Sequence, residues 1–219
     1  METAVRIGSF LAIFAMLAGW EFWRPRRVLS QAKHVRWLTN LSLVVVDALV
    51  LRLMGGVVAF AAAVYVQQHG WGWFNNVAWP YWLEFIIAIV LLDFALYLQH
   101  VATHRVPWLW RLHRVHHTDL DIDLTTGVRF HPIEIGLSMI YKVVLVTALG
   151  AAPWAVLIFE IILNGASLFN HSNVYIPEKI DRRVRRFIIT PDMHRVHHST
   201  RVEETNSNFG FSISLWDYA

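Results

Sequence analysis

Long apolar stretches alternate with short polar segments along the first 170 residues or so of the chain. The apolar stretches are residues 5–23, 41–66, 82–98, 133–149 and 154–169. A helix needs ~20 predominantly apolar residues to cross ~30 Å of hydrocarbon, and the first three stretches reach or approach that length. The last two are shorter, and the residues GAAP between them predict a tight turn. The pattern predicts an all-α integral membrane bundle of about four transmembrane helices, with the last two forming either separate spans or a short hairpin.

The first apolar stretch fits a retained helix better than a cleaved signal sequence. Glu2 lies in its leading segment, Arg6 is the only basic residue before the apolar run, and the run continues into GWEFW without a small-residue cleavage site. We therefore expect this helix to remain part of the mature protein.

Composition restricts the chemistry that the chain can perform. Hydrophobic residues make up 56% of the 219 residues, more than the ~45–50% of an ordinary soluble domain. There is no cysteine, which excludes disulfides, thiolate-bound haem and cysteine-held iron–sulfur clusters. Any metal must be bound by nitrogen or oxygen. The net charge of +3 and the interruption of the basic residues by apolar stretches give no indication of nucleic-acid binding.

The distribution of basic residues predicts an orientation in the membrane. Residues 24–36 contain five Lys or Arg, whereas residues 67–80 contain none and include three tryptophans. Basic loops favour the cytoplasm. With residues 24–36 on that side, the chain returns to the cytoplasm near His100 and again near His171. Residues 173–219 are then a cytoplasmic helical cap, and the clustered histidines share one side of the membrane.

Histidines are concentrated in the second half of the chain. Ten of the twelve lie between residues 100 and 198: His100, His104, His113, His116, His117, His131, His171, His194, His197 and His198. The word HRVHH occurs twice, at 113–117 and 194–198, and on a helix its histidines share a face. Neutral imidazole is the commonest metal-binding side chain. Eight to ten of them exceed the needs of one zinc ion and predict a site for two metals.

The helix that carries His100 and His104 also carries an acid on the same face. Asp93 lies seven residues before His100. Metal-bound histidines commonly donate their second ring N–H to a carboxylate. We therefore expect Asp93 to accept a hydrogen bond from the second ring N–H of one of these ligands.

Five segments resemble the fatty acid hydroxylase superfamily, also called the sterol desaturase family. They are DFALYLQHVATHRVPWLWRLHRVHHTD, RFHPIE, FNHSN, TPDMHRVHHS and NFGFSISLWD. The resemblance covers residues 93–217 and divides the chain into N-terminal membrane helices (1–92) and a hydroxylase-like catalytic region (93–219). Its motifs are an HX3H followed by two HX2HH.

The resemblance implies a non-haem di-iron enzyme. Its catalytic ligands would be His100, His104, His113, His116, His117, His194, His197 and His198, with His131 and His171 as additional metal ligands. Such an enzyme uses O2 and external electrons to hydroxylate or desaturate a C–H bond of a lipid from the bilayer. The candidate substrates are a fatty acyl chain, a sterol or hopanoid, a carotenoid and an ether lipid.

The length of the chain bears on the electron source. Helices and cap occupy all 219 residues, so we expect electrons from a separate redox protein rather than from a fused carrier domain. The chain stops at SLWDYA, earlier than the family usually does, as expected of a short member or of a truncated chain.

Two other functions remain open at this stage. A zinc-dependent membrane hydrolase is disfavoured because HExxH is absent and no Glu adjoins the paired histidines to act as a base. A transporter or non-catalytic metal-binding protein is disfavoured because transporters place their ligands near the bilayer midplane, whereas these histidines fall at helix ends.

Overall fold

The computed structural model describes residues 1–55, 58–78 and 80–218. Within these ranges the chain forms helices and no β-strand. The α-helices are α1 (Glu2–Trp23), α2 (Lys33–Leu53), α3 (Ala59–His69), α4 (Tyr81–Arg105), α5 (Pro107–His117), α6 (Pro132–Leu149), α7 (Pro153–His171), α8 (Glu178–Val184), α9 (Pro191–His197) and α10 (Val202–Thr205). The predicted all-α fold is confirmed.

Five of these helices are long and apolar enough to cross a membrane: α1, α2, α4, α6 and α7. The apolar stretch 41–66 is not one helix, because α2 ends at Leu53 and α3 begins at Ala59. Gly55 has a φ of +85°, a conformation that side-chain-bearing residues rarely adopt, and it ends the helical path. The expected division of the chain at residue 92 falls inside α4 and stays a prediction.

Helix α7 is the centre of the bundle. Half of its membrane-length window is buried, against 6% of that of α1. It packs against α1, α3, α4 and α9, and Phe159 and Leu168 are among its fully buried side chains. The helices around it present apolar faces outward, as expected of a protein embedded in lipid.

Prolines and glycines set the boundaries of the helices near the site. Proline is the first residue of α5, α6, α7 and α9, where its missing N–H costs no helical hydrogen bond. Gly150 ends α6 with a φ of +70°, and α7 begins three residues later. A Cβ on Gly150 would lie 2.6 Å from the carbonyl oxygen of Trp71, so the turn packs directly against the loop after α3. The predicted tight turn is confirmed. Both α6 and α7 are long and apolar enough to cross a membrane, so the choice between two spans and a short hairpin stays a prediction.

The basic segment after α1 lies at the histidine end of the bundle. The backbone N–H of Arg26 donates to the carbonyl of Asn173 (2.7 Å), and that of Tyr175 donates to the carbonyl of Arg24 (2.9 Å). The segment thus runs beside the residues that follow His171. The two features share one side, as the charge pattern predicts, and the assignment of that side to the cytoplasm stays a prediction.

A buried ionic network joins α2 to the loop after α5. The guanidinium of Arg36 donates to both carboxylate oxygens of Asp119 (2.8 and 2.7 Å) and to Asp123 (2.6 Å). All three side chains are at most 5% exposed. Breaking a buried ion pair leaves an uncompensated charge and costs about 3–5 kcal/mol. The network therefore fixes the loop that follows the first HRVHH.

Replacement of Arg36 by Met should lower the stability of the detergent-solubilised protein by about 3–5 kcal/mol, because two buried carboxylates lose their partner. Thermal unfolding of the two proteins measures the difference. The matched control is Arg182→Met, whose ion pair with Glu178 is 63% and 79% exposed and should contribute little. Equal unfolding temperatures for the two variants would contradict the role of the network.

Candidate metal centre

Nine histidines meet at one end of the bundle in two groups. The five-histidine group consists of His100, His104, His113, His117 and His197, and the four-histidine group of His116, His171, His194 and His198. Within each group one nitrogen of every residue lies within 4.8 Å of those of all the others. Each of these side chains is buried or half-buried. The sequence therefore located the site, and the structure divides it in two.

Four helices supply these side chains. Helix α4 carries HX3H in its last turns, α5 carries the first HRVHH, α7 ends at His171, and α9 carries the second HRVHH up to His197. In the first HRVHH, the first and fifth residues belong to the five-histidine group and the fourth belongs to the four-histidine group. In the second HRVHH, the first and fifth residues belong to the four-histidine group and the fourth belongs to the five-histidine group. Each HRVHH thus contributes to both groups.

Three rings of the five-histidine group are oriented by a hydrogen bond from Nδ1 to an oxygen atom on another segment of the chain. The pairs are His100 with the Phe209 carbonyl (2.6 Å), His113 with Glu134 Oε1 (2.6 Å) and His197 with the Ser207 carbonyl (2.8 Å). Because Nδ1 carries the proton, Nε2 presents a lone pair. The Nε2 atoms of His100 and His113 are 3.2 Å apart.

Two rings of the four-histidine group are held in the same way. The Nδ1 atom of His116 donates to the Arg129 carbonyl (3.1 Å), and that of His171 donates to the Ser167 carbonyl (2.6 Å). Both Nε2 atoms are then unprotonated, yet they lie 2.9 Å apart.

The crowding around His171 excludes an ordinary hydrogen-bond network. Its Nε2 atom lies 2.9 Å from that of His116 and 3.0 Å from those of His194 and His198. One ring nitrogen offers one hydrogen or one lone pair, so it cannot bond to three partners. Nitrogens that each lie ~2.0–2.1 Å from a shared metal are themselves about 3 Å apart. The spacing fits a cation between them.

Ring nitrogens without a partner support the same interpretation. Buried nitrogens that make no hydrogen bond to any described residue occur in His104, His117, His194, His197 and His198. An unpaired buried polar atom is costly, so such atoms call for a ligand. Imidazole nitrogen suits iron, zinc, copper and nickel. The donor set therefore fits two metal ions.

Burial keeps the rings in the form that binds metal. Loss of solvation, followed by the effect of neighbouring rings, lowers the pKa of six of them well below the ordinary value. These are His113, His116, His117, His194, His197 and His198. They are neutral at neutral pH, as metal ligation requires.

The carboxylate that supports a histidine is Glu134 rather than Asp93. Glu134 lies in the first turn of α6 and accepts from His113. Asp93 instead accepts from the indole N–H of Trp216 at 2.8 Å, which ties the C-terminal segment to α4. The sequence signal was the Glu of RFHPIE, two residues after the helix-starting Pro132.

His131 lies outside both groups. It is the N-cap of α6, and its Nδ1 atom accepts the backbone N–H of Ile133 at 3.1 Å. The other additional ligand expected from the resemblance, His171, lies at the centre of the four-histidine group. The structure thus brings together nine of the ten predicted histidines.

Comparison with known protein families agrees with this geometry. The sequence profile of the fatty acid hydroxylase family matches residues 85–219, more than half of the chain. The chain belongs to the fatty acid hydroxylase family.

Several curated proteins are similar to this family member. Ornithine lipid hydroxylase OlsE of Rhizobium tropici is 28% identical over 163 residues, which are 73% of this chain and 47% of the relative. Alkylglycerol monooxygenase of Xenopus tropicalis is 26% identical over 144 residues, 64% of this chain and 29% of the relative. Human cholesterol 25-hydroxylase is 26% identical over 137 residues, 60% of this chain and 48% of the relative.

The matched region accounts for only part of these relatives, since the chain spans half or less of the length of each of the three. No solved structure matches the chain significantly. The arrangement of the two histidine groups therefore rests on the geometry of this chain itself.

Substitution of single histidines should remove metal from the site. His197→Ala removes a nitrogen of the five-histidine group, and His116→Ala removes one of the four-histidine group. We expect each variant, and above all the double variant, to hold less metal than the parent protein. Elemental mass spectrometry of detergent-purified protein measures the stoichiometry.

The matched control is His131→Asn, because asparagine can also cap α6. This variant should keep the metal content of the parent. Loss of metal in His131→Asn, or full retention in a well-folded His116→Ala/His197→Ala double variant, would contradict the two-group site.

Acid should release metal and weaken the fold. The six rings with lowered pKa stay neutral in the folded protein, whereas unfolded histidine takes up a proton below about pH 6.5. The unfolded state then binds more protons, so stability falls as the pH drops through that range. Metal content and unfolding temperature, compared at about pH 7.5 and about pH 5, should both be lower in acid. An unchanged metal content would contradict neutral imidazole ligation.

Proposed function

We propose that this protein is a membrane di-iron oxygenase that uses O2 and external electrons to hydroxylate a C–H bond of a lipid. The observation that carries the proposal is the convergence of unprotonated ring nitrogens in two groups at the ends of membrane-length helices. The proposed metal ligands are the nine histidines of these groups.

The choice of a lipid and of oxygen insertion is supported by the relatives. By their names, they are an ornithine lipid hydroxylase, an alkylglycerol monooxygenase and a cholesterol 25-hydroxylase. Each name combines a lipid with hydroxylation or monooxygenation. We therefore favour hydroxylation over desaturation, with the candidate substrates being acyl, sterol or hopanoid, carotenoid and ether lipids.

When bound, two iron ions would supply the activation of O2 that attack on an unactivated C–H bond requires. The residues of this chain supply the environment. The carbonyls behind His100, His116, His171 and His197 hold a proton on Nδ1 and thereby fix the direction of Nε2. Helix α9 covers the site, and His194 and His197 are at most 1% exposed, so bulk water is excluded.

A cavity next to the five-histidine group supports a position for the substrate. It has a volume of about 130 Å³ and lies between α4, α6 and α7. His100 and His113 form part of its wall. We infer that the reacting carbon of the lipid occupies this cavity, facing the five-histidine group.

The position of the basic segment supports a cytoplasmic source of electrons. The basic segment 24–36 lies at the same end as the histidines, which favours a site on the cytoplasmic side. We propose that a separate cytoplasmic redox protein delivers the electrons there.

Metal content and oxygen uptake together test the function. Detergent-purified protein from iron-supplemented cells should hold two irons per chain and consume O2 when a reductant and membrane lipids are present. The His116→Ala/His197→Ala double variant is the matched control and should do neither. One tightly bound zinc without oxygen uptake would overturn the proposal and favour a hydrolase or a non-catalytic metal-binding protein.

A further inference from the structure

The cavity beside the metal centre is more polar than a hydrocarbon chain requires. Side chains that can hydrogen-bond line it from the histidine end to the opposite end: Gln99, Glu134, Ser138, Lys142 and Asn164. Lys142 lies eight residues after Glu134 on α6, roughly 12 Å along the helix axis. Small-molecule pockets are mostly apolar and contain a few polar groups, which fix the orientation of the ligand.

Several of these polar groups lack a partner within the described part of the chain. Glu134 Oε2 is buried and accepts no hydrogen bond. The side-chain amide of Asn164 makes no hydrogen bond to another described residue. One of the three N–H groups of Lys142 is taken by Glu160 at 3.1 Å. A ligand in the cavity thus meets an acceptor at one end and donors at the other.

The charges around the end of the cavity near Lys142 balance one another. Glu160 is paired with Lys142 and also with Arg6, and Arg6 is paired with Glu2. Two cations and two anions therefore form a neutral chain. An additional charged group at this end would meet only charges that are already paired, which is costly. This end of the cavity consequently favours a polar group that carries no net charge.

The size of the cavity limits how much of a lipid it admits. Its volume of about 130 Å³ is close to the ~150 Å³ of a protein cavity that holds one benzene molecule. A lipid places only a few heavy atoms in such a space. The rest of the molecule must lie elsewhere.

An apolar groove next to the cavity provides that place. The groove has a volume of about 280 Å³ and shares Gln99, Thr103 and Glu134 with the cavity wall. Leu98 and Leu137, which line it, are 46% and 38% exposed on the outer surface of α4 and α6. The hydrocarbon chain of a lipid can therefore stay in contact with the bilayer while its polar part enters between these helices.

We propose that the cavity binds the uncharged polar end of the lipid, an amide or a hydroxyl-bearing group, while the hydrocarbon tail lies in the α4–α6 groove. The carbon presented to the five-histidine group is then one close to that polar group, not one near the far end of the chain. Glu134 positions this group, because its Oε1 atom holds His113 and its Oε2 atom accepts from the ligand. The inference names the substrate class of the proposed lipid oxygenase and rests on that function.

Photo-crosslinking tests the orientation without any turnover. Two N-acylethanolamine probes are used, one with a diazirine on the acyl carbons next to the amide and one with it at the end of the chain. The full-length protein is labelled in lipid nanodiscs and mapped by peptide mass spectrometry. The amide-proximal probe should label the cavity-facing residues Ser138 and Asn164. The chain-end probe should label Leu98 and Leu137 instead.

Two substitutions sharpen the test. Asn164→Leu and Ser138→Ala should each reduce labelling of the unsubstituted cavity residues by the amide-proximal probe several-fold and leave labelling of the groove unchanged. Thr147→Val is the matched control, since it also removes a hydroxyl from α6 but lies outside the cavity, and it should change neither pattern. The comparison of the two probes on the parent protein decides the orientation even where a variant fails to fold.

The outcomes separate this inference from the proposed function. Labelling of the cavity by the chain-end probe, or equal labelling of cavity and groove by both probes, would overturn the inference even if lipid-dependent oxygen uptake is observed. The expected labelling pattern in a protein that binds no iron and consumes no O2 would uphold the polar-end site and overturn the oxygenase.

Discussion

The mutual repulsion of ring nitrogens is the constraint on which this structure depends. Hydrogen bonds to carbonyl oxygens keep the proton on the Nδ1 atom of several rings. Unprotonated Nε2 atoms of the four-histidine group then lie about 3 Å from one another, a spacing that matches shared metal ligation. Without a cation this arrangement is unfavourable. Metal binding should therefore contribute to the free energy of folding, because the rings approach closely only in the folded chain.

The N-terminal helices hold this convergence in place through buried charges. Glu21, near the end of α1, accepts the backbone N–H groups of Leu124 (2.8 Å) and Asn173 (2.7 Å), which lie just after α5 and just after α7. Arg36 binds the same first loop from the start of α2. The carboxylate of Glu21 and the guanidinium of Arg36 thus connect α1 and α2, which carry none of the clustered histidines, to the loops that follow α5 and α7. The first two helices, which match the family only as generic membrane segments, are in this way part of the site.

The sequence predicted what depends on local pattern. Apolar length located the membrane helices, and the spacing of the histidines located the site. It did not predict what depends on contacts between distant segments. The continuous apolar stretch 41–66 gave no indication of the break between α2 and α3, because hydropathy carries no information on the backbone conformation at Gly55. Asp93 lies on the same helix face as His100, but its Oδ2 atom accepts the indole N–H of Trp216, 123 residues later in the chain. His131 belongs to a recognised motif, yet a local hydrogen bond to the first turn of α6 holds its ring.

The exchange of roles between the two HRVHH words has a consequence for the geometry of the centre. Within each word the first and fifth residues are directed to one group and the fourth to the other. The two histidine groups are therefore connected twice, through α5 and through α9 with the residue that follows it. Their separation follows from the pitch of an α-helix, which covalent geometry and hydrogen bonding fix at 1.5 Å per residue. A shift of α5 or α9 as a body moves the nitrogens that the helix contributes to both groups together. The spacing between the two groups of ring nitrogens is therefore set largely by helix geometry, and changes in the surrounding lipid should alter it little.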